Sequence, residues 1–199
     1  DNVAIGSLAL DANTTGCRNV TIGYYAMSGN TEGDFNTAVG RAALSTNTTG
    51  DENTAGGYHA LVSSTTASSN TAFGYNVLAS ATTGANNTAI GKGALDSSTT
   101  GARNTAVGCG ALTANTTSTD NTAIGVEAGQ QITTGANNSV MGSGAGTSSS
   151  PFHITTQNGR IVLGNDNASH FYAKIALTVT SDLRDKTNFG KVPHGLDFV

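Results

Sequence analysis

Asparagine recurs at every seventeenth residue, as Asn2, Asn19, Asn36, Asn53, Asn70, Asn87, Asn104, Asn121 and Asn138, and a glycine follows four residues after each. No insertion interrupts these nine repeats. A short, fixed period means like coils stacked along an axis, each touching only its neighbours. With Asn as position 1, the consensus runs N-T-A-I/V-G-x-x-A-L-x-x-x-T-T-G-x-x. Position 4 is apolar in eight of nine repeats, Gly56 being the exception, and position 8 is Ala except at Val77. Position 9 is Leu or Met up to Leu112 and then becomes Gly129 and Gly146.

Thr pairs, Val, Gly and Asn in every repeat are weak helix formers, and no stripe of period 3.6 survives the glycines. The expected fold is therefore all-β, a parallel β-solenoid or β-roll of nine 17-residue coils. Each coil is expected to carry two short strands, near positions 1–4 and 7–10, with the position-5 Gly at one corner and T-T-G at the other. Alternation puts positions 2 and 4 on one face and 1 and 3 on the other, and the Ile/Val and Leu columns are expected inside. An amide both donates and accepts, so stacked Asn side chains are expected to bond each other and the turn backbone from coil to coil. Nine coils at the strand spacing give a rod on the order of 43 Å long. So thin a core stabilises poorly by itself, which argues for association along the rod.

Composition closes off several functions. A net charge of -4 without a Lys/Arg cluster gives no electrostatic footprint for nucleic acid. No run of about 18 apolar residues offers a membrane span. Only 11% of residues are charged, and a strict period argues against disorder. Cys17 and Cys109 stand at different repeat positions, about five coils apart, and are expected as free thiols. His59, His153, His170 and His194 lack ligand spacing, so no metal and no cofactor are expected. The sequons at Asn13, Asn47, Asn115 and Asn167 read as accidents of a Thr-rich turn. The chain starts inside the repeat pattern, so an upstream portion is expected.

After the ninth repeat the register breaks at Pro151 and Phe152, and Arg160–Gly164 restores a repeat-like core offset by five residues. Residues 171–180 alternate enough for a closing strand, as an exposed last coil requires. The expected division is a shaft over 1–154, a capping β segment over 155–180, and a distinct segment over 181–199.

The N-T-A-I-G and N-T-A-V-G cores resemble the head repeat of trimeric autotransporter adhesins and related phage tail fibres. That resemblance implies parallel β-rolls packed as a homotrimer, although 17 residues is longer than the adhesin head repeat. Ser181-Asp182-Leu183-Arg184-Asp185-Lys186 resembles the S-D-x-R-x-K start of the intramolecular chaperone that ends phage tail spikes and fibres. The resemblance implies a trimerisation chaperone that cuts itself off between Thr180 and Ser181, with Ser181 as nucleophile and Lys186 as its base. A Lys whose pKa is lowered by burial can take the hydroxyl proton. Otherwise Ser181 or Asp182 simply caps a helix.

The function expected from these features is a rigid homotrimeric tail fibre or spike of a phage virion. It would be joined to other tail proteins and bind a host-surface glycan or protein receptor. It would not be an enzyme beyond the single self-cleavage. Candidate binding residues are expected at the variable positions 6, 7, 16 and 17, where Tyr24, Tyr25, Phe35, Tyr58, His59 and Tyr75 cluster and suit sugar stacking or packing between protomers. The alternatives are a bacterial trimeric adhesin, a glycan-degrading spike and an ice-binding solenoid. The spike would need paired carboxylates, and the ice binder would need T-x-T strands.

Overall fold

The computed structural model describes residues 1–147 and 153–170. Asp1–Ala168 forms one compact unit, and Ser169–Val199 a second of which only Ser169 and His170 are described. The closing strand expected over 171–180 lies outside the described residues. In the first unit ten three-residue strands follow one another: β1 (Val3–Ile5), β2 (Val20–Ile22), β3 (Thr37–Val39), β4 (Thr54–Gly56), β5 (Thr71–Phe73), β6 (Thr88–Ile90), β7 (Thr105–Val107), β8 (Thr122–Ile124), β9 (Ser139–Met141) and β10 (Ile161–Leu163). They form one parallel sheet in chain order. Every pair from β1 to β9 is in register at a step of one repeat, as in Thr71↔Thr88 and Ala72↔Ala89. β10 pairs with β9 through Ile161↔Ser139, a step of one repeat plus five residues, and so forms the last rung. The protein is a parallel β-solenoid.

The Asn column does two jobs. The Oδ1 of Asn19 accepts the backbone N–H of Asn36 at 2.8 Å, and the same bond recurs from coil to coil up to Asn138 and Arg160. Its Nδ2 donates to the Gly33 carbonyl of its own coil at 2.8 Å, drawing position 15 back against position 1. From Asn53 onward Nδ2 also lies within reach of the preceding Asn Oδ1, as at 3.1 Å between Asn87 and Asn70. Nearly the whole column is buried. A buried amide is tolerated only when its donors and acceptor are satisfied, as they are here.

An inward Asn fixes the rest of the strand by parity. Position 3 points inward with it, and Ala38, Ala55, Ala72, Ala89, Ala106 and Ala123 are buried against the Ala and Leu of positions 8 and 9. Positions 2 and 4 point outward. The expectation of an Ile/Val interior is thus overturned: Ile5, Ile22, Val39, Phe73, Ile90, Ile124 and Met141 are 39 to 57% exposed. The reason is width. Leu from the opposite wall fills the coil once Ala faces it, and an Ile at position 3 would overpack so narrow a core.

The second strand is also overturned. Positions 6–9 form tight turns, and the Leu column itself is left-handed, with φ from 48° to 56° between Leu10 and Leu112. A non-glycine residue in that region is disfavoured by about 1 kcal/mol or more. Each position-9 N–H nevertheless bonds the next coil, as Leu78 N–H does the Ala94 carbonyl at 3.0 Å, while the side chain plugs the core. Where Leu gives way to Gly129, a Cβ there would meet Ile132, Leu112 and Val140 at 3.0–3.1 Å. Ile132, Val140 and Ile154 therefore supply from other positions the volume that position 9 gives up.

The expected corners hold. Position-5 glycines have φ between +117° and +143°, and a Cβ on Gly74 would stand 2.7 Å from the Gly91 carbonyl oxygen. At the T-T-G corner the N–H groups of Thr14, Thr15 and Gly16 converge on the Thr31 carbonyl, which also accepts the Thr14 hydroxyl at 2.8 Å.

Two substitutions test the ladder. Asn70→Ala orphans the Asn87 N–H and the Gly84 carbonyl, and should cost about 2–5 kcal/mol in thermal unfolding followed by circular dichroism. Gly74→Ala should be more disruptive than Gly93→Ala, because nothing stands within 4 Å of a Cβ at Gly93. Equal losses at the two glycines would contradict the corner geometry.

Candidate functional site

Residues seventeen apart in sequence are neighbours in space, so the side chains at position 6 form a row along the rod. In coils two to six that row reads Tyr24, Arg41, Tyr58, Tyr75 and Lys92. The Arg41 guanidinium lies between two rings, with Cζ 5.7 Å from the Tyr24 centroid and 5.3 Å from that of Tyr58. Its Nη1 donates to the Tyr58 hydroxyl at 2.9 Å, which fixes the plane of the fork. Tyr58 stacks on Tyr75 at 5.2 Å with 9° between planes, and His59 stacks on Tyr58 at 3.9 Å. Tyr25 meets Tyr24 edge to face at 4.7 Å. Tyr24, Tyr25, Arg41 and Ala42 line a cleft of about 280 Å³.

Of the aromatics picked out in the sequence, the fold gathers Tyr24, Tyr25, Tyr58, His59 and Tyr75 and leaves Phe35 apart. Phe35, at position 17 before its strand, stacks instead with Arg18, whose Cζ is 4.9 Å from the ring. Arg41 and Lys92 were not among the expected site residues. The signal was present in the position-6 column, but only when read across repeats. Ser181 and Lys186 lie outside the described residues. Cys17 and Cys109 are free and exposed. Asn47 and Asn115 are buried inside the coil, so the folded chain has no room for a glycan on either.

Carboxylates stack as well. Asp34 and Asp51 occupy position 16 of adjacent coils, but each spends an oxygen on backbone. Asp34 Oδ1 accepts the Cys17 N–H at 2.6 Å, and Asp51 Oδ1 accepts the Asp34 N–H at 2.7 Å. Their arrangement is that of a turn ladder. Among the described residues no group of three or more His, Cys, Asp or Glu is placed to hold a metal. Asp96 is pushed above the ordinary carboxylate value by burial.

Comparison with protein-family models, with curated proteins and with solved structures gives no match for this chain.

Arg103 and Asp120 form a forked ion pair on the surface, at 2.7 and 2.9 Å. The hydrogen bonds from Arg103, with one from Thr119, hold the Asp120 carboxyl below its ordinary value. A lowered pKa contributes stability above the ordinary carboxylate range and loses it as pH falls through the depressed value. Both side chains meet solvent, so the effect on stability is small. A carboxyl NMR titration should find Asp120 below the usual range, and Arg103→Ala should raise it towards that range.

Proposed function

We propose that this chain forms the shaft of a homotrimeric phage tail fibre, a rod that attaches the virion to a host surface and multiplies weak contacts by three. The observation that carries the reading is the outward position-4 column. Ile5, Ile22, Val39, Phe73, Ile90, Ile124 and Met141 run along one face of a single sheet, continued on β10 by Leu163. Scattered exposed apolar residues need no explanation, but a contiguous apolar stripe along a rod marks a surface that is covered. Phe73 lies over Gly56, so even the gap in the column is filled. The occupant that matches such a stripe coil for coil is another copy of the same chain, because it repeats with the same step. The adhesin-like repeat and the S-D-x-R-x-K segment support the fibre assignment. In that assignment Ser181 and Lys186 perform one self-cleavage after assembly.

Sedimentation velocity and cross-linking test the reading. The expected species is about three times the 19.9 kDa chain mass. Ile90→Lys combined with Ile124→Lys should yield monomer with the coil spectrum retained, since both side chains face outward. A wild-type monomer overturns the proposal. Expressed from the full gene, the mature chain should end at Thr180, and Ser181→Ala should leave the downstream portion attached.

One observation favours a second reading. Thr37, Thr54, Thr71, Thr88, Thr105 and Thr122 form an outward column at position 2 beside the apolar one, on a regular parallel sheet. Ice binding uses such a face only when it is open to water, and each of these strands carries a single outward Thr and not the T-x-T pair. Thermal hysteresis from a monomeric rod would therefore support ice binding at the expense of the fibre.

A further inference from the structure

The structure assigns the position-6 row Tyr24–Arg41–Tyr58–Tyr75–Lys92 as a binding site for an acidic oligosaccharide, one whose sugar rings carry carboxylates. The assignment deepens the attachment reading and rests on it for the threefold repetition of the site.

Three observations carry it. First, the row is aromatic and open: Tyr24 and Tyr75 stand half open to solvent, and Tyr58 stacks on Tyr75 one coil away. A pyranose ring presents C–H groups that pack on aromatic surface, and an oligosaccharide laid along the rod would meet the ring edges of the Tyr58–Tyr75 stack and the half-open Tyr24 ring beside the cleft. Second, the row is cationic and unneutralised. Arg41 and Lys92 have no carboxylate partner among the described residues, and positions 6 to 9 of coils two to six contain no Asp or Glu. In a chain of net charge -4 this is a local reversal of sign. Third, Arg41 is preorganised. The rings of Tyr24 and Tyr58 flank it, and Tyr58 takes only one of its five donors, leaving the others without a protein acceptor on a side chain that lines the cleft. A planar fork held in one orientation is the donor set that a carboxylate accepts in bidentate fashion. Arg41 and Lys92 are three coils apart, roughly 14 Å, so the row suits an extended chain with charges several sugars apart. Single-stranded nucleic acid, with a phosphate at every nucleotide, would find only these two cations.

The purified chain can be titrated with a hyaluronan hexamer, which carries a carboxylate only on every second sugar, and with the same hexamer carboxyl-reduced to a neutral form, followed by tyrosine fluorescence. Four of the five tyrosines lie in or beside the row, and the chain has no Trp. The acidic hexamer should bind saturably and at least roughly tenfold more tightly than the neutral one, with affinity falling as salt rises. Arg41→Ala, an exposed change, should abolish that preference, and Tyr24→Ala should weaken both hexamers. Equal affinity for the two, a preference that survives Arg41→Ala, or no saturable binding overturns the site. Tighter binding of an oligodeoxynucleotide of equal charge overturns the saccharide assignment as well. Sedimentation of the same samples separates the two proposals. A trimer that ignores the acidic hexamer sinks this site alone, and a monomer that binds it sinks the trimeric fibre alone.

Discussion

The inward amide at position 1 is the constraint on which the coil depends. One side chain closes its own turn through Nδ2 and joins the next through Oδ1, so removing it would loosen the solenoid along two directions at once. Its placement also decides the parity of the strand. With Asn inside, Ala at position 3 is inside, and the apolar side chains at position 4 must face out. The interior is then narrow enough for Leu to reach across from the opposite wall. The coil is held by hydrogen bonds in register more than by the area it buries. A core made of Ala, Leu and satisfied amides leaves much of the chain's apolar surface unused, and that surface lies on one face.

Much of this architecture was legible in the sequence. The period announced stacked parallel coils, the position-5 glycines marked a corner that needs positive φ, and the Leu and position-8 Ala columns did prove to be interior. The inversion of the strand is hidden from hydrophobicity alone, because hydrogen bonding outranks it in this coil. Ile and Val look like core and Asn does not, yet an amide with every partner supplied is at home inside. A better signal was constancy of size. Position 3 is Ala in seven of nine repeats, whereas position 4 runs from Gly56 to Phe73. A close-packed stack cannot absorb that range between adjacent rungs. The second strand was misread for a different reason. No local propensity places Leu in the left-handed region, and only the bonds to the flanking coils hold it there.

The candidate site was half legible. Aromatics gathered at variable positions were visible as a list, but a list ordered along the chain hides neighbours that lie one full repeat apart. Arg41 belongs with Tyr24 and Tyr58 only after the coil is closed, and Lys92 joins them by the same step. The same geometry demotes a tempting pair. Asp34 and Asp51 are adjacent, yet backbone N–H groups occupy them, so adjacency alone does not make chemistry.

Solenoid symmetry separates the two kinds of surface that this rod presents. A face that meets another copy of the chain must repeat its character at every coil, and position 4 stays apolar from Ile5 to Leu163 apart from the gap that Phe73 covers. A face that meets a ligand of finite length needs its chemistry only over the span of that ligand. Position 6 behaves in this second way: aromatic and basic from Tyr24 to Lys92, then Cys109, Val126 and Ser143. Positions 4 and 6 sit on either side of the position-5 corner, where the chain turns sharply. Packing along the first face would therefore leave the second pointing elsewhere, and a trimer would display three such rows on one rigid axis. Linked sites on a rigid support multiply weak single contacts. The amide ladder sets both the spacing of the rings and the orientation of the coils that carry them.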